Sequence, residues 1–298
     1  MLLLTGATGL IGGALLPRLL AEGHNVRCLV RDPRRLGAQR VRVQIALGDL
    51  ADPPSFRNAM RGVDTVVHLA SSTRDQPHAS IEELNGIASW RMVDAARRAG
   101  AERFLFLSAL GASTHHRARL FRAKALAEQA VGEADLHTTV LASSFAYAPG
   151  DRWSELLARL SLLPAVPLPG GGSAELQPIW ADDVASCIAA SLRAPADDPH
   201  TRLELAGPQT HTVAEVARLL LRALERPRPL LGVPPPLVSR GLRMAQRFGA
   251  DSLLPTWEEA ELTEISMTTA RGCIDAERLG VVPKGMPAVL GLERGQSG

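Results

Sequence analysis

The chain has 298 residues, 46% of them hydrophobic and 21% charged, with a formal net charge of +2. That length supports a sizeable core in one large domain or in a main domain with an appendage. The charge fraction, near the roughly 25% of ordinary globular proteins, excludes wholesale disorder, and a net charge so close to zero gives no global drive toward nucleic acid or anionic lipid.

Of 33 basic residues only Lys124 and Lys284 are lysines, and Tyr147 is the single tyrosine. Ammonium and phenol groups are therefore scarce. Cys28, Cys187 and Cys273 are scattered without C-x-x-C spacing, which points to a reduced, cytoplasmic protein rather than a disulfide scaffold. The apolar start lacks a basic leader region and is broken at once by Thr5-Gly6-Ala7-Thr8-Gly9. No later stretch reaches the ~18 apolar residues of a spanning helix, so no membrane partner is expected.

In chain order, residues 2–4 read as a strand, 10–22 as a helix ended by Gly23, and 26–30 and 41–47 as two further strands. A short helix over 55–61, a strand over 65–69, a helix over 81–99 and a strand over 103–107 follow. Then come a helix over 117–131 and a strand over 137–141. Strands alternating with helices imply right-handed crossovers and a parallel sheet covered on both faces, a doubly wound α/β Rossmann fold. Beyond residue 150 the pattern loosens. Residues 166–172 read as a Pro/Gly loop, 181–193 as a helix, 202–205 as a strand and 212–225 as a helix opened by a Thr212/Glu215 capping box. Amphipathic helical stretches run from Pro227 to about Thr263. The expected division is a dinucleotide-binding domain over 1–150, a smaller C-terminal α/β lobe over 151–290 interleaved with the sheet, and a flexible tail over 291–298. In such a fold the ligand crevice lies at the carboxyl ends of the strands.

Gly6-Ala7-Thr8-Gly9-Leu10-Ile11-Gly12 lies between the first strand and the first helix. Glycines there let backbone N–H groups approach a pyrophosphate, and the following helix N-terminus adds a favourable dipole. Gly6, Thr8, Gly9, Leu10, Ile11 and Gly12 are thus candidate cofactor contacts. The second strand runs into Arg31-Asp32-Pro33-Arg34-Arg35. A carboxylate at this point takes a ribose 2′-hydroxyl, whereas arginines accommodate a 2′-phosphate. Arg31, Arg34 and Arg35 favour NADP; the alternative is NAD, with Asp32 on the ribose and Arg34 and Arg35 solvated.

Further motifs follow in order: Gly48-Asp49-Leu50, His68-Leu69-Ala70, Asn85, Ser108, Lys124, Pro149-Gly150-Asp151, residues 177–185 and Ala206-Gly207-Pro208. With the glycine loop, their order and spacing resemble an atypical or extended short-chain dehydrogenase/reductase. The similarity is greatest to the branch holding NmrA-like proteins and the Rossmann accessory subunit of complex I. The resemblance implies that Asp49 and Leu50 line an adenine pocket and that Leu69, Ala70 and Ser71 lie along the dinucleotide. It implies catalytic roles for Asn85, Ser108 and Lys124, with Lys124 also on the nicotinamide ribose. The family's tyrosine, four residues before the lysine, is replaced by Leu120, which shares a helix face with Lys124 but exchanges no proton. The resembling superfamily includes lysine-only relatives, the isoflavone-reductase-like enzymes, so loss of this tyrosine does not prove loss of catalysis.

Ser108, Thr114, His115, His116 and Tyr147 are the other candidate proton carriers. His115 and His116 are read first as exposed loop residues capping the next helix, with a proton-carrier role as the alternative. Ser108, His115, Ser144 and Tyr147 are expected at the substrate pocket, with a packed tyrosine as the alternative for Tyr147. No metal-ligand spacing occurs, and Asp182-Asp183 reads as helix N-terminal charge. Two functions compete: an NADP(H)-dependent oxidoreductase on a small apolar carbonyl or unsaturated substrate, and a non-catalytic redox sensor or assembly subunit. The expected partners are that small-molecule substrate and either a protein partner or a second copy. Direct DNA binding ranks behind both functions because the arginines are dispersed.

Overall fold

The computed structural model describes residues 1–195, 198–247 and 255–292. The tail expected over 291–298 lies, from residue 293, outside the described residues.

The elements in chain order are β1 (Leu2–Thr5), α1 (Leu10–Ala21), β2 (Val26–Val30), β3 (Gln44–Leu47), α2 (Pro53–Arg57), β4 (Thr65–His68), α3 (Ala88–Arg98), β5 (Arg103–Ala109), α4 (Arg119–Gly132) and β6 (His137–Ser143). There follow β7 (Ala146–Tyr147), α5 (Arg152–Leu160), β8 (Val166–Pro169), β9 (Glu175–Leu176), β10 (Ile179–Trp180), α6 (Ala181–Arg193) and β11 (His200–Leu205). The chain closes with β12 (His211–Thr212), α7 (Val213–Ala223), β13 (Leu230–Val233), α8 (Pro235–Arg247), α9 (Trp257–Leu262), α10 (Ile274–Arg278) and α11 (Met286–Val289).

The chain divides into two compact units. The first comprises Met1–Ser143, Ala181–Leu205 and Ile274–Val282. It holds a seven-stranded sheet ordered β11-β6-β5-β4-β1-β2-β3, every neighbouring pair parallel. The order reverses between β1 and β4, the switch point at which doubly wound sheets open a crevice beyond their strand carboxyl ends. β1 is buried along its whole length because helices cover both faces. Phe104 and Phe106 of β5 pack with Met92, Val93, Ala127 and Val131 of the flanking helices in the main core. Arg18 of α1 and Asp182 of α6 pair at 2.5 Å, so Asp182 adds an ion pair to its expected place in a helix first turn.

The second unit comprises Ser144–Trp180, Ala206–Cys273 and Pro283–Gly298. Its strands form three small two-stranded sheets, β7 with β10, β8 with β13 and β9 with β12. Leu157, Val166, Leu168, Val216 and Leu220 are part of its core. The Thr212/Glu215 capping box forms as expected at the start of α7.

Three expectations need correction. Residues 166–169 are a strand, not a loop: Val166 and Leu168 are buried, and β8 pairs in parallel with β13. Proline is tolerated there because the pair is only two strands wide. The third strand starts at Gln44 rather than residue 41, since Asp32 caps a 3₁₀ segment over Pro33–Arg42 that uses up the preceding chain. The helix expected over 81–99 contains a π-helical turn, Glu83–Ile87, centred on Asn85.

Candidate dinucleotide site

The glycine loop lies at the carboxyl end of β1. Gly6 has φ +71, and a Cβ there would stand 2.7 Å from the Ala70 nitrogen. A Cβ on Gly12 would stand 2.1 Å from the Gly6 carbonyl oxygen. Both positions exclude any side chain, so the loop backbone lies against the β4 exit and α1 sits tight on the turn. Gly9 is the N-cap of α1, and no side chain caps its first turn, which leaves N–H groups directed out of the helix end. Gly9 and Leu10 are exposed, while Thr8 and Ile11 are half-buried. This is a cradle suited to a pyrophosphate.

At the end of β2, Asp32 is committed locally. It accepts from the Arg34 backbone N–H at 3.0 Å and from the Arg34 guanidinium through both oxygens, at 2.9 and 3.1 Å. Hydrogen bonds from Arg34 hold its carboxyl below the usual carboxylate range. Arg31 and Arg35 are exposed and neither forms a salt bridge among the described residues, although the charge of Arg35 helps to lower the Asp32 pKa. After β3, Asp49 accepts from Ala51 N–H at 3.0 Å and so shapes its own turn. Leu50 is only partly exposed and packs on the main core, which leaves one face of it for a ligand.

The β4 exit is fastened by a network that the sequence reading did not assign. Asn85 is fully buried and makes four side-chain hydrogen bonds: it accepts from Ser71 Oγ and Ser72 N, and donates to the Ser72 and Ile81 carbonyls. Its amide is a clamp on the Ser71-Ser72 loop, and its backbone carbonyl accepts from Ser89 Oγ at 2.7 Å. Because that hydroxyl donates to a carbonyl, it must accept from His68 Nε2, 3.0 Å away. The neutral ring then accepts at Nδ1 from Thr5 Oγ1 at 2.7 Å, and Thr5 Oγ1 accepts from Ala70 N–H at 3.3 Å. One chain of donors thus links Ala70, Thr5, His68, Ser89 and Asn85. A histidine ending an apolar parallel strand was the available signal, since a buried imidazole requires partners on both nitrogens.

Burial, with Lys124 as a second cause, pushes the His68 pKa down to about 3 from 6.5. The unfolded chain therefore binds a proton that the fold refuses between pH 6.5 and about 3, and the stability contributed by neutral His68 is lost as pH falls through that window. His68→Gln is expected to reduce the slope of stability against pH there by roughly 1.4 kcal/mol per pH unit, read by urea unfolding at successive pH values. An unchanged slope would show that His68 is protonated in the fold.

Ser108, next to last in β5, has a buried Oγ with no hydrogen-bond partner among the described residues. The Lys124 ammonium donates to the adjacent Leu107 carbonyl at 2.7 Å and lies 4.8 Å from the Phe106 ring centroid. It is buried, with a single hydrogen bond, and desolvation pushes its pKa down to about 8 from 10.5. Leu120, one turn earlier on α4, is half-buried. His116 Nδ1 accepts from Ala118 N–H at 3.0 Å and the ring stacks on Phe121, so His116 braces the turn that leads into α4. His115 is exposed and Thr114 is half-buried.

Of the residues expected at a substrate pocket, Ser144 and Tyr147 belong to the second unit. Ser144 Oγ donates to the Met267 carbonyl at 2.7 Å. Tyr147 has no exposed surface and packs with Leu157 and Val166. Among the described residues no group of His, Cys, Asp and Glu is placed to hold a metal ion.

A model of the NAD(P)H-binding family matches residues 6–195. The chain belongs to that family. The wider grouping is the atypical short-chain dehydrogenase/reductases, in agreement with the resemblance read from the motifs. This family member is 30% identical over 226 residues to the mitochondrial NADH dehydrogenase (ubiquinone) 1 alpha subcomplex subunit 9 of Arabidopsis thaliana, covering 72% of this chain and 56% of that one. It is 28% identical over 197 residues to a ceramide reductase of Caulobacter vibrioides, covering 64% of this chain and 61% of the relative. The chain thus spans little more than half the length of these curated relatives. In structure it is similar to a nucleoside-diphosphate-sugar epimerase from Staphylococcus aureus, with TM-score 0.77, 19% identity and coverage of 97% and 99%, a likeness of fold. No helix among the described residues is long and apolar enough to cross a membrane.

Proposed function

We propose that this NAD(P)H-binding family member is an NADP(H)-dependent oxidoreductase acting on a small, apolar carbonyl or unsaturated substrate. The observation that carries the reading is the end of β5, where Lys124 is buried with one hydrogen bond and the adjacent Ser108 hydroxyl has none. Buried polar groups are ordinarily satisfied, and unsatisfied ones with a shifted pKa mark functional sites. The cofactor fits the residues present. Gly6 and Gly12 let the loop backbone pack against Ala70 and α1, which leaves the uncapped N–H groups after Gly9 for a pyrophosphate, with Thr8, Leu10 and Ile11 along the loop, and Leu69, Ala70 and Ser71 form the rim that Asn85 clamps. Asp49 and Leu50 would flank the adenine.

When bound, NADP(H) would supply or accept the hydride. The protein's own residues position and titrate. Ser108 donates to a substrate oxygen, and Lys124 holds the ribose. With a pKa of about 8, Lys124 also holds a proton that it can release near neutrality. Leu120 contributes only apolar surface. His115 stays a candidate on the exposed loop beside this strand end, whereas Ser144 and Tyr147 take no part in the chemistry.

The NADP preference rests on Arg31 and Arg35, which form no salt bridge among the described residues, while Asp32 is hydrogen-bonded to Arg34. The double variant Arg31→Gln/Arg35→Gln is expected to weaken NADPH binding about tenfold or more, with NADH binding unchanged. Equal losses for both nucleotides would remove the case for a 2′-phosphate site.

A second reading, a dinucleotide-binding subunit without turnover, is favoured by Leu120 and by the likeness to a respiratory-complex subunit. It places this chain against a protein partner. The two readings separate on one assay: oxidation of NADPH against a panel of aldehydes, ketones and enones. Turnover with any of them supports the enzyme; tight binding with no turnover supports the subunit. The cytoplasm, where thiols stay reduced, is the proposed location.

A further inference from the structure

We infer that one end of the second unit is a docking surface for an anionic lipid bilayer. β8 and β13 run parallel with Leu230 opposite Val166, so the residues that precede each strand share one end of the pair. Before β8 stands the turn Leu162-Leu163, with Leu162 78% and Leu163 46% exposed. Before β13 stand Arg222, Arg226 and Arg228, all exposed and none with a carboxylate partner among the described residues. The Val166 N–H donates to the Pro229 carbonyl at 2.9 Å and ties the two approaches together. One step along the pair, Leu231 is 58% exposed, opposite Pro167 on the outward face.

The surface is fixed in place. Leu162 N–H donates to the Arg159 carbonyl and Leu163 N–H to the Leu160 carbonyl, at 3.1 and 3.0 Å, which holds the leucine turn on the end of α5. Arg226 N–H donates to the Leu221 carbonyl at 2.9 Å, closing α7 through Glu225 at φ 55. From residue 218 to 228 there are four arginines and one acidic residue, Glu225.

Single exposed leucines are ordinary, but three beside a run of arginines without carboxylate partners among the described residues are not. Aliphatic side chains that enter the acyl boundary while arginines meet headgroup phosphates are the chemistry of interfacial docking. A leucine as exposed as Leu162 stands clear of its neighbours, on a projecting turn. A bilayer accepts such a projection directly, whereas a protein partner needs a matching recess. No aromatic residue, the usual anchor of a protein interface, stands among the exposed residues of the patch. Docking of this kind requires no spanning helix, and it departs from the expectation that no membrane partner exists.

The test is sedimentation of the full chain with vesicles of phosphatidylcholine and phosphatidylglycerol against vesicles of phosphatidylcholine alone. Binding is expected to the anionic vesicles only, falling as salt rises. Leu162→Ser/Leu163→Ser should lower it by about tenfold or more, and Arg226→Gln/Arg228→Gln by about fivefold for each charge removed. NADPH binding by the same variants reports that they are folded. No sedimentation with anionic vesicles at low salt, or wild-type binding by the double serine variant, would overturn the proposal. So would a partner protein that needs Leu162 and Leu163 while vesicles do not bind.

Discussion

Gly12→Ala is expected to abolish dinucleotide binding, while Gly13→Ala, one residue later, leaves it intact. The two glycines are neighbours in one helix, yet their surroundings differ. A Cβ on Gly12 would lie 2.1 Å from the Gly6 oxygen and 2.8 Å from Ala7 Cα; a Cβ on Gly13 meets nothing within 4 Å. The obstructing atoms at Gly12 are backbone, so no side-chain rotation relieves the overlap. α1 must move off the β1 turn, carrying with it the uncapped N–H groups proposed to meet the phosphates. Losing two such charge-assisted hydrogen bonds costs about 10²-fold or more in affinity, and the overlap costs about 1–3 kcal/mol of stability. Gly13→Ala should raise stability by roughly 0.5–1 kcal/mol through helix propensity. Calorimetric titration with NADPH and thermal unfolding of both variants check the pair. Equal behaviour would mean that α1 does not pack as described.

Lys124→Met is expected to uncouple activity from stability. Methionine fills the volume of the lysine stem without burying a charge. Desolvation lowers the Lys124 pKa from 10.5 to about 8, so at neutral pH the fold carries an ammonium at a cost of roughly 3 kcal/mol. Between pH 8 and 10.5 the unfolded chain binds more protons than the folded one, so wild-type stability rises with pH across that window. The variant lacks the rise. At pH 7 it should be more stable than wild type by about 1–3 kcal/mol, after loss of the contacts with the Leu107 carbonyl and the Phe106 ring. Turnover should fall about 10²–10⁴-fold, since no tyrosine stands at position 120 to share the proton. A stabilised variant with full turnover would remove Lys124 from the mechanism.

Strand β2 and helix α6 were legible to the residue, because an apolar run bounded by turn residues or an acidic first turn marks its own ends. The glycine loop was equally plain. What escaped was set by hydrogen bonds between distant residues. The π turn at Asn85 serves four bonds that reach the β4 exit and Ile81. His68 gains its meaning only when Thr5 and Ser89 are brought beside it. β8 was hidden by Pro167 and Pro169, which carry loop signals in sequence yet sit at half-exposed positions alternating with buried ones. Tyr147 shows the reverse: sparse composition drew attention to it, and packing then took it into a core. The scarcity of lysine was the better guide, since Lys124 is buried beside the end of β5 while Lys284 lies 4.8 Å from the Trp180 ring in the second unit.

The most direct test of the dinucleotide seat is calorimetric titration of the wild-type chain with NADPH and, separately, with NADH. Saturable binding of one NADPH per chain, tighter than NADH, is the predicted result. Binding of neither nucleotide would contradict the account.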